Sequence, residues 1–406
     1  MDSLITAAAR ALAMGDPLSA LNLIALRDDP PALALRGIAM AQLGDLARSR
    51  ALLRRAVRAF GPREALARAR CVIAEAEIAL VSRDLSWPAK PLEAARTVLE
   101  LHGDQANAAH AHYLMIRYLM LIGRLDQAEG LIAELDPASL PNASRAAYHL
   151  VVGGIAIRRL RIKAARSALV RAGCVAQEAR IPSLVAEVES AVRVLDTPAA
   201  RLVTQGATRV LLLDDVEALL ASDALVVDIC RHTIRQSGMT IPLETRPVLF
   251  ALARALAESC PGDVSRAVLL LRAFRARTAD ESHRARLRVE IGRLRETLCD
   301  LAAIDATREG FALVPRAGRA VAVLAPLTDE PIANVLALLA DGESWSSSAL
   351  ALALGVSQRT AQRALDDLNA RGKIQAIGRG RARRWMSPPL PGFPSTLLLP
   401  AALPAD

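Results

Sequence analysis

The sequence predicts a mainly α chain: a helical array followed by two small α+β modules. Three observations carry that reading. The 406 residues are 52% hydrophobic but only 3% aromatic, and a core built largely from Ala and Leu favours helix. Apolar residues recur at i, i+3, i+4 and i+7 over residues 1–195, broken only by short Gly, Asp or Pro turns. Beyond residue 200 the texture changes to short β-prone runs set between helices. The length suits two to four domains.

Composition also narrows the function. The formal net charge of +9 points to an anionic partner and says nothing about fold. The scarcity of aromatics disfavours a lectin-like β-sandwich. Cys71, Cys174, Cys230, Cys260 and Cys299 are odd in number, far apart and without CxxC spacing, so they read as thiols in a reducing compartment. Met1-Asp2-Ser3 opens neither a basic segment nor a long apolar run, and no window has the length of a membrane span. A cytoplasmic, nucleoid-associated protein with no membrane partner is expected. The dominance of Arg over Lys fits a GC-rich bacterial genome.

In the first 195 residues a soft repeat recurs. Gly15-Asp16 is followed by Ala20, Gly44-Asp45-Leu46 by Ser49, and Gly123-Arg124-Leu125 by Ala128. Each sets a turn glycine five positions before a small residue, which lets paired helices approach closely. The pattern resembles tetratricopeptide (TPR) helical hairpins, whose period is about 34 residues. The spacing is irregular and Ser86–Pro91 interrupts it, so a generic helical bundle stays open. Residues 196–209 read as a linker.

Residues 210–320 form the first module. Val210–Leu213 and Leu225–Ile229 are β-prone, and Gln236–Thr240 is a turn. A helix is expected from Arg246 to Ser259, stopped at Cys260-Pro261-Gly262. A second starts at Ser265 and a third runs over Glu281–Leu301. Ile304–Val314 reads as a hairpin with Gly310 near its tip. On the third helix Leu287, Ile291, Leu294 and Leu298 share a face, and Arg284, Arg286, Arg288, Arg293 and Arg295 occupy the rest. Such a helix can enter a major groove and touch phosphates. The segments Arg246–Ala253, Val264–Arg266, Leu287–Arg295 and Ala306–Leu313 together resemble the winged-helix effector domain of OmpR/PhoB-type response regulators. The resemblance implies that Val289, Glu290, Gly292 and Arg293 face bases, that Arg286 and Arg295 lie near phosphates, and that Arg308 sits on the wing. Glu290, Gly292 and Glu309 depart from that family's usual residues, and no receiver domain precedes the module.

Residues 326–386 form the second module, with helices at Pro331–Leu339, Ser346–Leu354 and Ser357–Arg371 and a basic hairpin at Ile374–Trp385. Ala351 is placed at a helix crossing, Gly355 in a tight turn, Val356 in the core and Ser357 at an N-cap. Ala361, Leu365 and Leu368 form the buried stripe. Gln358, Arg359, Thr360, Gln362 and Arg363 lie near the start or on the outer surface of the last helix, where base edges are reached; Arg pairs with guanine and Gln with adenine. The hairpin carries Lys373, Arg379, Arg381, Arg383 and Arg384, and residues 357–386 hold eight Lys+Arg against two acidic residues. The segment resembles the winged helix-turn-helix of GntR/DeoR-type bacterial regulators. Residues 387–406 are a Pro-rich tail.

Other constellations point elsewhere than chemistry. His102, His110 and His112 lack a spaced Cys or carboxylate to complete a metal site. Asp214-Asp215 and Asp366-Asp367 are adjacent, so their side chains diverge. Gly153-Gly154 reads as a helix-packing site. No P-loop, GxSxG, HExxH or GxGxxG pattern occurs. No catalytic residue, metal or cofactor is expected. The function expected is that of a sequence-specific double-stranded DNA-binding transcriptional regulator, not an enzyme, acting as a homodimer whose helical array dimerises or takes a protein partner or small-molecule effector. The alternatives are a protein-interaction scaffold, favoured by Glu290, Gly292 and Glu309, and an RNA or non-specific nucleic-acid binder, disfavoured because Trp385 is the lone aromatic of the basic segments.

Overall fold

The computed structural model describes residues 3–13, 15–81, 89–204, 207–274, 281–327, 335–336, 338–339, 345–354, 356–378 and 383–386. The chain is mainly α, with its sheets in the C-terminal half. It divides into two compact units, one holding most of residues 1–192 and the other residues 158–163 and 193–388.

The helical part of the chain runs α1 (Ser3–Ala13), α2 (Pro17–Ile24), α3 (Pro30–Gln42), α4 (Leu46–Ala59), α5 (Ala65–Val81), α6 (Lys90–Leu101), α7 (Gln105–Leu121), α8 (Leu125–Glu134), α9 (Asn142–Arg158), α10 (Ile162–Ala179) and α11 (Pro182–Leu195). The repeat seen in the sequence has a definite geometry. Gly15, Gly44 and Gly123 all adopt positive φ, between +75° and +86°. In each case the next residue donates its N–H back five residues, Asp16 to Ala11, Asp45 to Met40 and Arg124 to Leu119, all at 2.9 Å. This is the helix-ending bond pattern that glycine permits without a Cβ penalty. Asp16 and Asp45 then cap the next helix, accepting from the N–H of Ser19 and Arg48 at 3.0 Å. The small residues Ala20, Ser49 and Ala128 are fully buried. Gly103-Asp104 builds a further turn of the same kind, with Asp104 donating to Leu99 and Ala108 buried; its sequence blends into the surrounding polar run.

Close approach explains two interior glycines. A Cβ on Gly37 of α3 would lie 2.8 Å from Leu53 Cγ of α4, and one on Gly153 of α9 would lie 3.0 Å from Leu169 of α10. Gly37 and Ser49, and Gly153 and Ala165, are each twelve residues apart, so the two hairpins share one packing register. His110 is part of a buried cross-link: Nε2 sits 3.1 Å from Glu77 Oε2 and Nδ1 3.2 Å from Ser144 Oγ, tying α5, α7 and α9 together.

In the second unit, β1 (Ala200–Thr204) and β2 (Ala207–Leu211) lie where the sequence suggests a linker. Four of the five β2 residues are exposed, so this edge strand lacks the apolar alternation that marks a buried one. After it comes a short helix, α12 (Leu213–Ala221), whose first turn carries Asp214 and Asp215; Asp215 accepts from Leu212 N–H at 3.0 Å. The β-prone run Val210–Leu213 is therefore half strand and half helix. Next come β3 (Leu225–Asp228), β4 (Thr233–Gln236), β5 (Met239–Pro242), α13 (Pro247–Ser259), β6 (Asp263–Ser265), α14 (Arg266–Phe274), α15 (Glu281–Leu298), β7 (Ala302–Ala306), β8 (Gly310–Pro315) and β9 (Val321–Ala325).

The main sheet has the order β2-β1-β9-β3-β4-β5, antiparallel except for the β3–β9 pair. Strand β9 returns from beyond the β7–β8 hairpin to the middle of this sheet, so the first module spans 200–325 rather than 210–320. The reason is burial: four of the five β9 residues are buried, and a strand so apolar needs neighbours on both sides. The small sheet β6-β8-β7 forms the wing. Leu249, Phe250, Leu252 and Leu256 of α13, Leu269 and Leu270 of α14, and Leu287, Ile291, Leu294 and Leu298 of α15 share one core with Val227, Val323, Ile304 and Phe311.

Gly310 shows how tightly the wing is set. A Cβ there would fall 1.7 Å from the Val264 carbonyl oxygen, so β6 and β8 pair only because position 310 has no side chain. Gly310→Ala is expected to destabilise the second unit by about 3 kcal/mol or more; a urea midpoint equal to that of the parent would contradict this.

His232 supplies a pH dependence. Burial, with a smaller contribution from Arg254, pushes its pKa down to about 4 from 6.5, and its ring lies 4.6 Å from Phe250. The unfolded chain therefore binds the extra proton between those two values. The stability this group contributes is complete above pH 6.5 and is lost as pH falls towards 4, by about 3 kcal/mol. Thermal melts of His232→Phe should show a shallower loss over this window than the parent; parallel profiles would remove His232 from the account.

Residues 347–354 form α16 and residues 358–370 form α17, followed by β10 (Gln375–Ile377) and β11 (Arg384–Met386). This second module has its own core of Val335, Leu338, Leu339, Leu350, Leu365, Leu368, Ile374 and Trp385, while belonging to the same compact unit as the first. The expected helix at Pro331–Leu339 lies partly outside the described residues.

Candidate nucleic-acid interface

Helix α17 begins where its sequence says it should. Ser357 is extended, with φ −67° and ψ 149°, and its Oγ accepts from Thr360 N–H at 3.1 Å. The helix ends at Gly372, φ +66°, with Gly372 N–H donating to Asn369 and Lys373 N–H to Leu368. Ala361, Leu365 and Leu368 are buried. At 100° per residue this fixes the opposite face, and Arg359 and Arg363 fall on it. Ala351 is buried and Val356 half-buried; Gly355 lies outside the described residues.

Gln358, Arg359, Thr360 and Arg363 are exposed, as is Lys373 just past the helix end. The side chains of Gln358, Arg359, Arg363 and Lys373 have no hydrogen-bond or ionic partner among the described residues. Three expected base-reading residues are differently placed. Gln362 is half-buried and its amide donates to Asp366 Oδ1 at 2.9 Å. Ser357 and Thr360 hydroxyls bond each other at 2.8 Å, so both are partly engaged in the cap. Arg371, outside the expected set, is ion-paired with Asp367 at 3.0 Å.

The hairpin is organised by Trp385, which is 1% exposed. Its backbone pairs with Trp345 on one side, at 2.7 and 2.8 Å, and opposes Ala376 of β10 on the other. The Arg383 guanidinium lies 4.2 Å from the Trp385 ring centroid, and half-buried Arg384 donates to the Arg383 carbonyl at 3.2 Å. Arg379 and Arg381 lie outside the described residues.

The first module has a different electrostatic character. On α15, Arg284 and Arg288 both approach Glu281, at 3.5 and 3.6 Å, and Arg293 pairs with Glu290 at 2.9 Å. Arg286 stacks 4.7 Å from Phe274. Arg295 donates to the Ile304 carbonyl at 2.8 Å and so braces the wing. Val289 is 54% exposed. Glu290, expected to face bases, is only 13% exposed; it lines a groove with Arg246, Pro247, Val248 and Leu249 of the α13 start and Arg293, Glu296 and Thr297. Arg308 is exposed on the wing.

Sequence reasoning missed Arg266. Its guanidinium donates to the carbonyls of Arg308 and Thr307, at 3.0 and 3.2 Å, and lies 5.4 Å from Phe311. The Thr307 hydroxyl in turn donates to Asp263. Together they fix the wing turn. The run Val264-Ser265-Arg266 held the signal, but only the pairing of β6 with β8 shows what Arg266 reaches.

Among the described residues no group of three or more His, Cys, Asp or Glu is placed to hold a metal, and no helix is long and apolar enough to cross a membrane. Fold and site together define a class: a mainly α chain in which a helical array is followed by two α+β modules, the second presenting Arg359 and Arg363 on one helix face with no partner among the described residues. No protein-family model matches the chain, and no curated protein matches it.

Proposed function

We propose that this protein is a sequence-specific double-stranded DNA-binding transcriptional regulator that works as a homodimer in the cytoplasm, at the nucleoid, without catalytic activity. The second module reads base edges through α17. The first adds contacts through α15 and its wing. The helical array serves dimerisation or receives a protein or small-molecule signal. One observation carries this reading: Arg359 and Arg363 stand on the outer face of a capped helix with no partner among the described residues. Arg held ready in this way suits bidentate bonding to guanine, and Gln358 beside it suits adenine. Two modules in one chain gain from effective concentration where geometry permits.

A second reading, a protein-interaction scaffold, is favoured for the first module alone, because its arginines are largely paired within the chain. Selection of duplexes from a random library tests the primary reading. Enrichment of a defined motif by the full chain is expected; recovery of sequences at their input frequencies would oppose it.

A further inference from the structure

A long run of positive charge in the helical array lies in a stretch that the winged modules do not explain. Residues 36–70 hold nine arginines and two acidic residues, Asp45 and Glu64. Asp45 caps α4 through Arg48 N–H and Glu64 accepts from Gly61 N–H at 2.9 Å; both keep their charge, and nine arginines against two acids still leave the stretch strongly positive. Helix α4 buries Ser49, Leu52, Leu53 and Ala56 and turns Arg48, Arg54, Arg55 and Arg58 to solvent. Arg54 is held by Glu75 at 2.6 Å. Arg55 only approaches Asp28, at 3.6 Å, with both side chains more than half exposed, a pair worth little in water. Arg58 reaches no acid among the described residues, donating instead to the Arg54 carbonyl. The side chains of Arg48, and of Arg63 and Arg68 past the turn, have no partner among the described residues.

We propose that this outer face of α4 tracks the phosphate backbone of duplex DNA, giving the helical array a sequence-independent share of the affinity. The inference rests on the DNA-binding reading above. Arg48 to Arg58 covers about 15 Å at 1.5 Å per residue, long enough to meet several phosphates, which repeat every ~3.4 Å along each strand. An acidic protein is the competing occupant, and α4 is poorly made for it. No large apolar side chain is exposed on this helix, whereas protein interfaces draw most of their energy from buried aromatic or aliphatic anchors. Single-stranded nucleic acid is disfavoured in the same way, since Phe60, the aromatic closest to this face in sequence, is buried.

The test uses the full chain and Arg48→Ala/Arg55→Ala/Arg58→Ala, titrated by fluorescence anisotropy against its selected duplex and an unrelated duplex at several salt concentrations. All three positions are exposed, and equal thermal melts check the fold. The slope of log K against log salt should become shallower by about 2 to 3, near 0.9 for each phosphate that is no longer neutralised. Both duplexes should weaken together, leaving their affinity ratio unchanged. A parent chain that binds duplex with a slope equal to the variant's overturns this inference alone and leaves the face to an acidic protein. A parent that binds no duplex overturns the DNA-binding reading and this inference with it.

Discussion

Trp385→Ala is expected to unfold the second winged module, with a loss of roughly 3–5 kcal/mol. Trp385 is 1% exposed and, among the described residues, shares its core with Leu350, Leu365, Leu368 and Ile374. Its backbone is the middle of a three-part pairing, between Trp345 and Ala376. Removing the indole opens a cavity beneath Leu350, Leu365 and Leu368, the residues that hold α17 in place. It also removes the face on which Arg383 stacks. A domain this small has little stability in reserve, so the helical array should persist while the module melts at lower denaturant. Hydrogen exchange would check this: fast exchange confined to residues 345–386 is expected, and unchanged protection there would contradict the packing described.

The second large effect concerns Arg359 and Arg363. Each bidentate base contact is worth about 1–3 kcal/mol of discrimination, so the double alanine variant should lose roughly thirty-fold to ten-thousand-fold in affinity for a selected site. Base preference should relax at two positions of that site. Stability should hardly change, because both side chains are exposed and unpaired among the described residues. Matched melting curves with equal DNA affinity would sink the assignment of α17 as the reading helix. The contrast with α4 is diagnostic. Loss of Arg359 and Arg363 changes which sequence is bound, whereas loss of the α4 arginines changes the salt dependence for every sequence.

Much of this architecture was legible in local sequence. Ser357 as an N-cap, the stripe Ala361–Leu365–Leu368 and the stripe Leu287–Ile291–Leu294–Leu298 follow from spacing alone, and all of the stripe residues are buried. The turn glycines Gly15, Gly44 and Gly123 were legible because αL geometry favours glycine. What escaped was non-local. Strand β9 belongs to the main sheet through its pairing with β1 and β3, more than ninety residues upstream. Strand β2 is an exposed edge whose residues carry no burial pattern. The charge on α15 looked available in sequence because Glu281 and Glu290 sit at helical spacing whose consequence depends on rotamer, and only the folded side chains show Arg293 drawn to Glu290. The arginines of α4 escaped because charge summed over the whole array is diluted by acids elsewhere.

The most direct test of the central claim is fluorescence anisotropy of the full chain on a pool of genomic duplex fragments across salt concentrations, with Arg359→Ala/Arg363→Ala alongside. The account predicts binding to a subset of fragments that survives moderate salt and is lost in the double variant. Weak binding spread evenly over all fragments and identical in the variant would contradict it, and would shift the search to protein partners of the helical array.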